Sequence, residues 1–165
     1  IDTLAAMNNL ANLYHDQGRD AEAEEMHWSC LQGRQRTLGD AHPHTLASLN
    51  NLGLILHGKG DYAGAQELYL KAWETMKDVA GPDHLDTLSS LNNLANVLSD
   101  QANYAAAKPL YEALITSLEK TLGPDHPATL AGRGNFANVL LRSGDPWAAG
   151  TLYRECYATR ERTQG

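Results

Sequence analysis

Apolar residues recur at three- and four-residue intervals along most of the chain, with polar residues between them. The spacing is clearest over residues 86–101, where Leu88, Leu91 and Leu94 predict a helix with one apolar face. A second stripe of the same spacing follows over residues 104–121. The apolar pattern therefore predicts pairs of amphipathic helices.

The helix pairs repeat with a fixed period. The dipeptide Thr-Leu begins at residues 3, 45, 87 and 129, so the period is 42 residues. A fixed period in this range is typical of a solenoid, in which each unit buries its apolar face against its neighbours. We therefore predict an all-α solenoid of four helix-turn-helix hairpins, eight antiparallel helices in all, as one array over residues 1–165. The predicted repeats are 1–42, 43–84, 85–126 and 127–165, and we expect a fragment of a longer protein because the chain opens at Ile1 rather than Met.

Two kinds of turn separate the predicted helices. Within a pair, a glycine or alanine followed by Asp or Asn is typical of a helix end that leads directly into the N-cap of the next helix, as at residues 18–20, 60–61, 102–103 and 144–145. Between pairs, a glycine is followed by Asp-His-Pro or a close variant. We expect that segment to supply a capping carboxylate and an early-helix proline.

Some residues depart from the repeat pattern. Pro109 falls inside a predicted helix and should bend it or remove a hydrogen bond. Gly132, Gly134 and Gly150 lower helix propensity by up to about 1 kcal/mol each, so the fourth repeat is expected to be the least regular. The tyrosines that share one register in the second helices are expected in the core: Tyr69, Tyr111 and Tyr153.

The face of the first helix opposite its apolar stripe is rich in asparagine. It carries Asn8, Asn9, Asn12, Asn50, Asn51, Asn92, Asn93, Asn96, Asn135 and Asn138, with Arg142 at its end in the fourth repeat. Asparagine costs a helix up to about 0.7 kcal/mol per site relative to alanine, so its repeated use calls for a reason. The amides can clamp the main chain of an extended peptide, because each both donates and accepts, with Arg142 meeting an acidic side chain. Alternatively, they hydrogen-bond between adjacent helices and hold the repeats in register.

The recurrent segments resemble a known repeat family. Leu-Asn-Asn-Leu-Ala at 91–95, Ala107 and Leu-Gly-Pro-Asp-His-Pro at 122–127 resemble tetratricopeptide repeats of the long, kinesin-light-chain type, and the resemblance covers the whole chain. It implies a right-handed superhelix whose concave groove is lined by the first helix of each repeat and binds a peptide. In kinesin light chains the matching asparagines contact peptide backbone, which implies that role for Asn9, Asn51, Asn93 and Asn135. Similar arrays also form the sensor regions of signalling ATPases.

Charge and cysteine content narrow the partners and the compartment. The net charge of −7 disfavours a nucleic-acid partner, and no apolar run is long enough for a membrane-spanning helix. Cys30 and Cys156 lie three periods apart, too far to pair in one chain, and two unpaired thiols fit the reducing cytoplasm.

The sequence offers no candidate chemistry. His42, His84 and His126 are loop equivalents one repeat apart, too far apart to share a metal ion, and no catalytic arrangement can be named, so we predict no metal, no cofactor and no enzymatic activity. The predicted function is a protein–protein interaction module that binds a peptide or partner segment in the groove. The alternatives are a spacer that self-associates through its uncapped ends, and an ATPase sensor region.

Overall fold

The computed structural model describes the backbone of residues 2–164 and the side chains of residues 3–162, so the outer bounds of the predicted array, Ile1 and Gly165, lie outside the described residues. All regular structure within the described residues is helical. The helices are α1 (Asp2–Asp16), α2 (Asp20–Leu38), α3 (Pro43–Gly58), α4 (Tyr62–Ala80), α5 (Leu85–Asp100), α6 (Tyr104–Leu122), α7 (Pro127–Arg142) and α8 (Pro146–Gln164). The helices predicted over 86–101 and 104–121 correspond to α5 and α6 to within one residue at either end.

The chain divides into two compact units, Ile1–Gly81 and Pro82–Gly165. The first unit holds α1 to α4 and the second holds α5 to α8. In each unit the two helices of a hairpin pack together, and the second helix of one hairpin packs on the first helix of the next, α2 on α3 and α6 on α7. The joining of all four hairpins into one array stays a prediction.

The apolar stripes form the core of each unit. One cluster in the first unit consists of Leu31, Leu46, Leu49, Leu52, Ala72 and Met76. One in the second unit consists of Ala137, Leu140 and Ala149, with Phe136, Ala148 and Leu152 packed against it. The alanines that recur once per period in the second helices are fully or almost fully buried and let the hairpin helices approach closely: Ala23, Ala65, Ala107 and Ala149.

The turns within the hairpins confirm the predicted helix ends. Gly18, Gly60 and Gly144 have φ values of 74°, 82° and 90°, in the left-handed region that favours glycine. Ala102 takes the same place in the third repeat with a φ of 59°. The residue that follows the glycine or alanine caps the next helix in repeats two to four, for example through an N–H···O bond of 3.0 Å from Gly64 to Asp61. The predicted cap is wrong in the first repeat, where Arg19 takes this place and its side chain makes no capping bond.

The turns between the hairpins are capped by histidine, and the predicted capping carboxylate is wrong. His42, His84 and His126 are the N-caps of α3, α5 and α7. In each, the imidazole Nδ1 accepts a hydrogen bond from the main-chain N–H two residues later, at 3.1, 3.3 and 3.1 Å. A neutral imidazole supplies one such acceptor, which satisfies a free N–H of the first helical turn.

The aspartates that precede two of these histidines bind the second helix of the following hairpin instead. Asp83 pairs with Lys120, whose ammonium lowers the pKa of the Asp83 carboxyl. Asp125 accepts two hydrogen bonds of 2.8 Å from Arg162. These aspartates therefore tie adjacent repeats together, and the histidines cap the helices.

The threonine of the repeated Thr-Leu pair also has a structural role. The hydroxyls of Thr45 and Thr129 donate to the main-chain oxygens of Gly39 and Gly123 at 2.8 Å, and both threonines are fully buried. The two glycines end α2 and α6 with φ near +90° and ψ near +160°, a conformation open essentially only to glycine. The Gly–Thr hydrogen bond thus closes the loop between two hairpins.

Three local expectations have mixed outcomes. Helix α6 runs unbroken through Pro109. Helices α7 and α8 have 16 and 19 residues, as α5 and α6 do, so the expected irregularity of the fourth repeat is wrong. Tyr69 and Tyr111 lie in the core, with Phe136 of α7 stacked on Tyr111 at 5.9 Å between ring centroids. Tyr153 is 38% exposed, so its expected core position is wrong. Among the described residues, no further helix packs on Tyr153 as α7 packs on Tyr111.

In the part of the chain that is described, no helix is long and apolar enough to cross a membrane.

Candidate functional site

The predicted binding face lies on the first helix of each hairpin, and solvent reaches every asparagine on it. In the first unit the asparagines lie on α1 and α3, and in the second on α5 and α7. Asn9, Asn12 and Asn138 are exposed, and the other seven are partly exposed. All ten side chains are therefore at least partly within reach of a ligand, although the Oδ1 atom of Asn50 is itself buried.

Some of these carboxamides bond to one another between adjacent repeats. The Nδ2 group of Asn51 donates to Oδ1 of Asn8 at 3.1 Å, and Asn135 donates to Asn92 in the same way at 3.4 Å. In both cases the acceptor lies 43 residues before the donor, in the preceding repeat. This geometry favours the register role at those four positions. It leaves a further N–H and a further acceptor lone pair on each amide, so it does not decide against binding.

The asparagines one turn further along orient tyrosines of the second helices. The hydroxyl of Tyr111 donates to Oδ1 of Asn96, and that of Tyr153 donates to Oδ1 of Asn138. Burial, and then the nearby Asp100 carboxylate, raises the pKa of Tyr111, so its hydroxyl keeps the proton that it donates. Asn96 and Asn138 hold the hairpins together, and their NH2 groups remain as donors for a ligand.

The second repeat breaks this asparagine row with a leucine. Leu54 occupies the position of Asn12, Asn96 and Asn138 and is 52% exposed. Tyr69 lies against Gly53 there, so closely that a Cβ on Gly53 would meet the ring at 2.6 Å. Burial raises the pKa of Tyr69 to about 12. The second repeat therefore presents an apolar side chain at the position where the other three repeats present an amide.

The arginine that we expect to meet an acidic ligand group already binds a carboxylate, and so does the neighbouring Arg133 of α7. Arg142 donates to Asp100 at 2.7 Å and to the Ser99 hydroxyl at 3.2 Å, and the bond to Asp100 is the main reason that the pKa of Arg142 is raised. Arg133 donates to Glu119 at 2.7 and 3.2 Å. Asp100 and Arg142 lie one period apart, so opposite charges at the same repeat position were a signal in the sequence for this pair.

A cavity of about 410 Å³ opens beside the asparagine row of the second unit. Leucines from α5 and α6 and small residues of α7 make most of its wall, and the polar groups are Ser89, Asn92, His126 and Asn135. Its lining comprises Leu85, Leu88, Ser89, Asn92, Leu118, Leu122, His126, Ala128, Ala131, Gly132 and Asn135. No Asp, Glu, Lys or Arg lines it. The helical periodicity did not predict this cavity, because it depends on the small side chains at Ala128, Ala131 and Gly132.

Metal and redox chemistry receive no support from the side-chain arrangement. Among the described residues, no group of three or more His, Cys, Asp or Glu side chains is placed to hold a metal ion. Cys30 and Cys156 are buried and unpaired. Each donates to a main-chain oxygen of the first helix of its own hairpin, Cys30 to Leu4 and Cys156 to Leu130.

Comparisons with known proteins agree on the kind of repeat. The sequence profile of the tetratricopeptide repeat family matches residues 2–78, 49–120 and 86–162. No curated protein sequence matches the chain.

Among solved structures, two crystal structures of nearly identical TPR-like repeats of kinesin light chain type from Podospora anserina are similar to this chain. The Q17M variant has 27% identity and a TM-score of 0.88, and the other structure has 25% identity and a TM-score of 0.87. Both alignments cover 98% of this chain and 76% of the other. BtubC (BKLC) from P. vanneervenii has 20% identity and a TM-score of 0.89 over 98% of this chain and 65% of its own, a likeness of fold.

Proposed function

Because this chain belongs to the tetratricopeptide repeat family, we propose that it is a non-enzymatic module that binds an extended peptide or partner segment along the first helices of its repeats. Tetratricopeptide repeats are generally protein–protein interaction modules, in all-α solenoids of this kind. The observation that carries the finer proposal is the row of solvent-accessible carboxamides beside an apolar cavity in the second unit.

The carboxamides are suited to the main chain of a peptide. A peptide offers one donor and one acceptor per residue, and each asparagine has both. Asn9, Asn51, Asn93 and Asn135 are the leading positions, by the resemblance to kinesin light chains. At Asn51 and Asn135 the bond to the preceding repeat also fixes the orientation of the amide, so that less side-chain freedom is lost when a ligand binds.

The cavity favours an apolar anchor in the ligand. Its volume of about 410 Å³ is enough for a bulky side chain, and its walls are mostly aliphatic. A charged anchor would lose its hydration without meeting an opposite charge, which is unfavourable. Asn92 and Asn135 lie at the cavity and could hold the main chain on either side of the anchor.

Arg142 can take part without giving up its ion pair. One of its terminal nitrogens serves both Asp100 and Ser99, and a guanidinium has five N–H donors in total. An acidic side chain of the ligand would therefore share Arg142 with Asp100, and its binding free energy would gain less than from an isolated arginine.

We also propose that the protein is cytoplasmic, because its two unpaired thiols suit a reducing compartment.

The proposal is tested by selecting ligands from a random-sequence peptide library displayed on phage and measuring the enriched peptides by fluorescence anisotropy. We expect peptides with an apolar anchor. Ala131→Leu, which fills the cavity from an exposed position, and the double substitution Asn93→Ala with Asn135→Ala should each weaken binding about tenfold. Glu112→Ala, on the exposed surface of α6, is the control and should bind as the unsubstituted chain does.

Melting temperatures separate binding from register. If the asparagines serve the ligand, the double variant keeps its melting temperature within a few degrees while losing affinity. A large drop in melting temperature with unchanged peptide affinity would assign them to register alone. Failure to enrich any peptide, or enriched peptides that ignore all of these substitutions, would contradict the proposed groove.

A further inference from the structure

One position of the second helices differs between the first hairpin and the others. Tyr111 donates its hydroxyl to Asn96 of α5, and Tyr153 donates to Asn138 of α7, so in both hairpins this side chain reaches the first helix. In the first hairpin the equivalent position on α2 is His27. An imidazole therefore stands at the contact between α1 and α2 where two other hairpins have a hydrogen-bonded phenol.

His27 has no hydrogen bond at Nδ1 to compensate for its burial. The side chain is almost fully buried, and Nδ1 has no hydrogen-bond partner among the described residues. A protonated imidazole carries a hydrogen on both ring nitrogens, so Nδ1 would become a buried donor without an acceptor. Burial of an unpaired polar group is unfavourable, and burial of a charge is more so. The closed hairpin therefore favours the neutral ring.

The charged groups around His27 do not favour its protonation either. His15 of α1 and Arg34 of α2 both act against a further positive charge, and together with burial, which is the largest cause, they lower the pKa of His27. The carboxylate of Asp20 is bonded to Nδ1 of His15 at 2.7 Å. The buried residues of α3, which also packs on α2, are all uncharged. A proton on His27 thus meets two positive neighbours and a carboxylate that is already bonded.

The contact between α1 and α2 also buries a thiol. Cys30 lies about one turn after His27 on α2, is fully buried, and donates to the main-chain oxygen of Leu4 of α1 at 3.2 Å. Cys156 occupies the equivalent place in the fourth hairpin, where it is buried and donates to the main-chain oxygen of Leu130 of α7. Separation of α1 from α2 would expose the first thiol and leave the second one buried.

We propose that His27 makes the first hairpin a pH-sensitive switch, in which uptake of a proton opens the contact between α1 and α2 while the second unit keeps its structure. In repeat proteins stability is close to a sum of terms for each repeat and each interface, so a charge buried in one hairpin acts there first. The open hairpin binds the proton at the ordinary pKa of histidine, about 6.5, and the closed hairpin only at a lower pH. The open fraction therefore rises as the pH falls below about 6.5, by at most about tenfold per pH unit.

Opening of the first hairpin changes the asparagine row of the first unit. Helix α1 carries Asn8, Asn9 and Asn12, and Asn8 accepts a hydrogen bond from Asn51 of α3. Displacement of α1 breaks this bond and removes three of the carboxamides from the row. A ligand that lies along α1 and α3 is then released in acid. This consequence rests on the proposed function, whereas the opening itself does not.

Alkylation of the two cysteines with N-ethylmaleimide, followed by peptide mass spectrometry at several values between about pH 7 and pH 5, tests the opening on the full chain without a ligand. Each rate is divided by the rate for the same cysteine in urea-unfolded chain at the same pH, which removes the pH dependence of the thiol itself. We expect the relative rate of Cys30 to rise by up to about tenfold per pH unit below about pH 6.5. The relative rate of Cys156 should stay constant.

Two substitutions of the histidine identify the titrating group. His27→Tyr introduces the residue of the other repeats, and the neighbouring position on the first helix is a fully buried alanine in both the first and the third hairpin, Ala11 and Ala95. His27→Phe is the second variant, because phenylalanine neither titrates nor needs an acceptor. In both, the relative rate of Cys30 should no longer depend on pH. His44→Gln, at an exposed position of α3, is the control and should keep the rise.

Three results would overturn the proposal. A relative rate of Cys30 that does not change with pH would show that the contact stays closed. An equal rise at Cys30 and Cys156 would show that acid unfolds the whole chain. An unchanged rise in a folded His27 variant would assign the response to another group, and a native circular dichroism spectrum at pH 7 establishes which of the two variants is folded.

Discussion

His27 on α2 occupies the position that tyrosine holds in the other three repeats. It is 1% exposed, and its Nδ1 is buried without a hydrogen-bond partner among the described residues. Its pKa is lowered, first by burial and then by the positive charges of His15 and Arg34. A neutral imidazole is therefore part of the folded first unit, and protonation must oppose folding there.

The sign of this pKa shift predicts a loss of stability in acid. As the pH falls, the unfolded chain takes up a proton at His27 near pH 6.5, whereas the folded chain does so only at a lower pH. The free energy of unfolding therefore has its full value above about pH 6.5 and decreases as the pH falls toward the pKa of His27 in the folded chain. One group contributes at most about 1.4 kcal/mol per pH unit. His27→Tyr should remove this contribution, which urea titrations between about pH 7 and pH 5 would measure.

A histidine elsewhere in the first unit provides the control for His27. His44 is exposed, so His44→Gln should leave the acid-dependent loss of stability in place. The tyrosine substitution should also raise stability at neutral pH, since Asn12 is at hand as an acceptor just as Asn96 is for Tyr111. An equal pH dependence in the unsubstituted chain and in His27→Tyr would show that the burial of His27 does not govern the acid response.

At the scale of helices and turns, periodicity predicts the elements well and their end contacts poorly. The spacing of Leu88, Leu91 and Leu94 places α5 within a residue, because burying one face of a helix requires that spacing whatever the partner is. Periodicity does not predict the cap at His84, because histidine is not a preferred N-cap residue. Only the structure shows that its Nδ1 accepts a hydrogen bond from the N–H of Asp86. The recurrence of histidine at that loop position was the available signal.

In the candidate site too, helical spacing predicts which residues share a face but not which residues contact one another. That the ten asparagines share one solvent-reached face follows from helical spacing alone. That Asn51 bonds to Asn8, or that Arg142 bonds to Asp100, depends on how closely neighbouring repeats approach, which no pattern within one helix encodes. The cavity depends on side-chain volumes contributed by three helices, so the pattern along one helix does not predict it either.

The turn between α5 and α6 can be improved. Ala102 adopts a left-handed conformation that costs a non-glycine residue about 1–2 kcal/mol, whereas the equivalent turns use glycine. Ala102→Gly should therefore stabilise the second unit by about 0.5–1 kcal/mol after the greater flexibility of glycine in the unfolded chain is subtracted. Chemical denaturation followed by circular dichroism measures this difference.

The reverse substitution in the same unit is the matched control. Gly144 has a φ of 90° and nothing within 4 Å of the place where a Cβ would be, so Gly144→Ala tests the backbone conformation without a steric clash. It should destabilise by about 1 kcal/mol. If both substitutions shift stability in the same direction, the left-handed turn does not decide the effect.

At the scale of the whole molecule, each of the two units has an apolar cluster of its own. The cluster around Leu52 belongs to α2, α3 and α4, and the cluster around Leu140 belongs to α7 and α8. In repeat proteins stability is close to a sum of terms for each repeat and for each neighbouring interface, so damage in one place need not be felt throughout the chain. This additivity distinguishes such a chain from a globular protein with one shared core.

Hydrogen exchange read by mass spectrometry can measure this separation. Leu52→Ala removes a fully buried side chain and should lower amide protection in α2 to α4 by about 2–5 kcal/mol, with little change in α7 and α8. Leu140→Ala is the reciprocal variant and should give the opposite pattern, with a smaller loss because Leu140 is slightly exposed. Equal loss of protection in both units from either substitution would mean that the chain unfolds as one cooperative body, because the open forms of both units would then share one equilibrium.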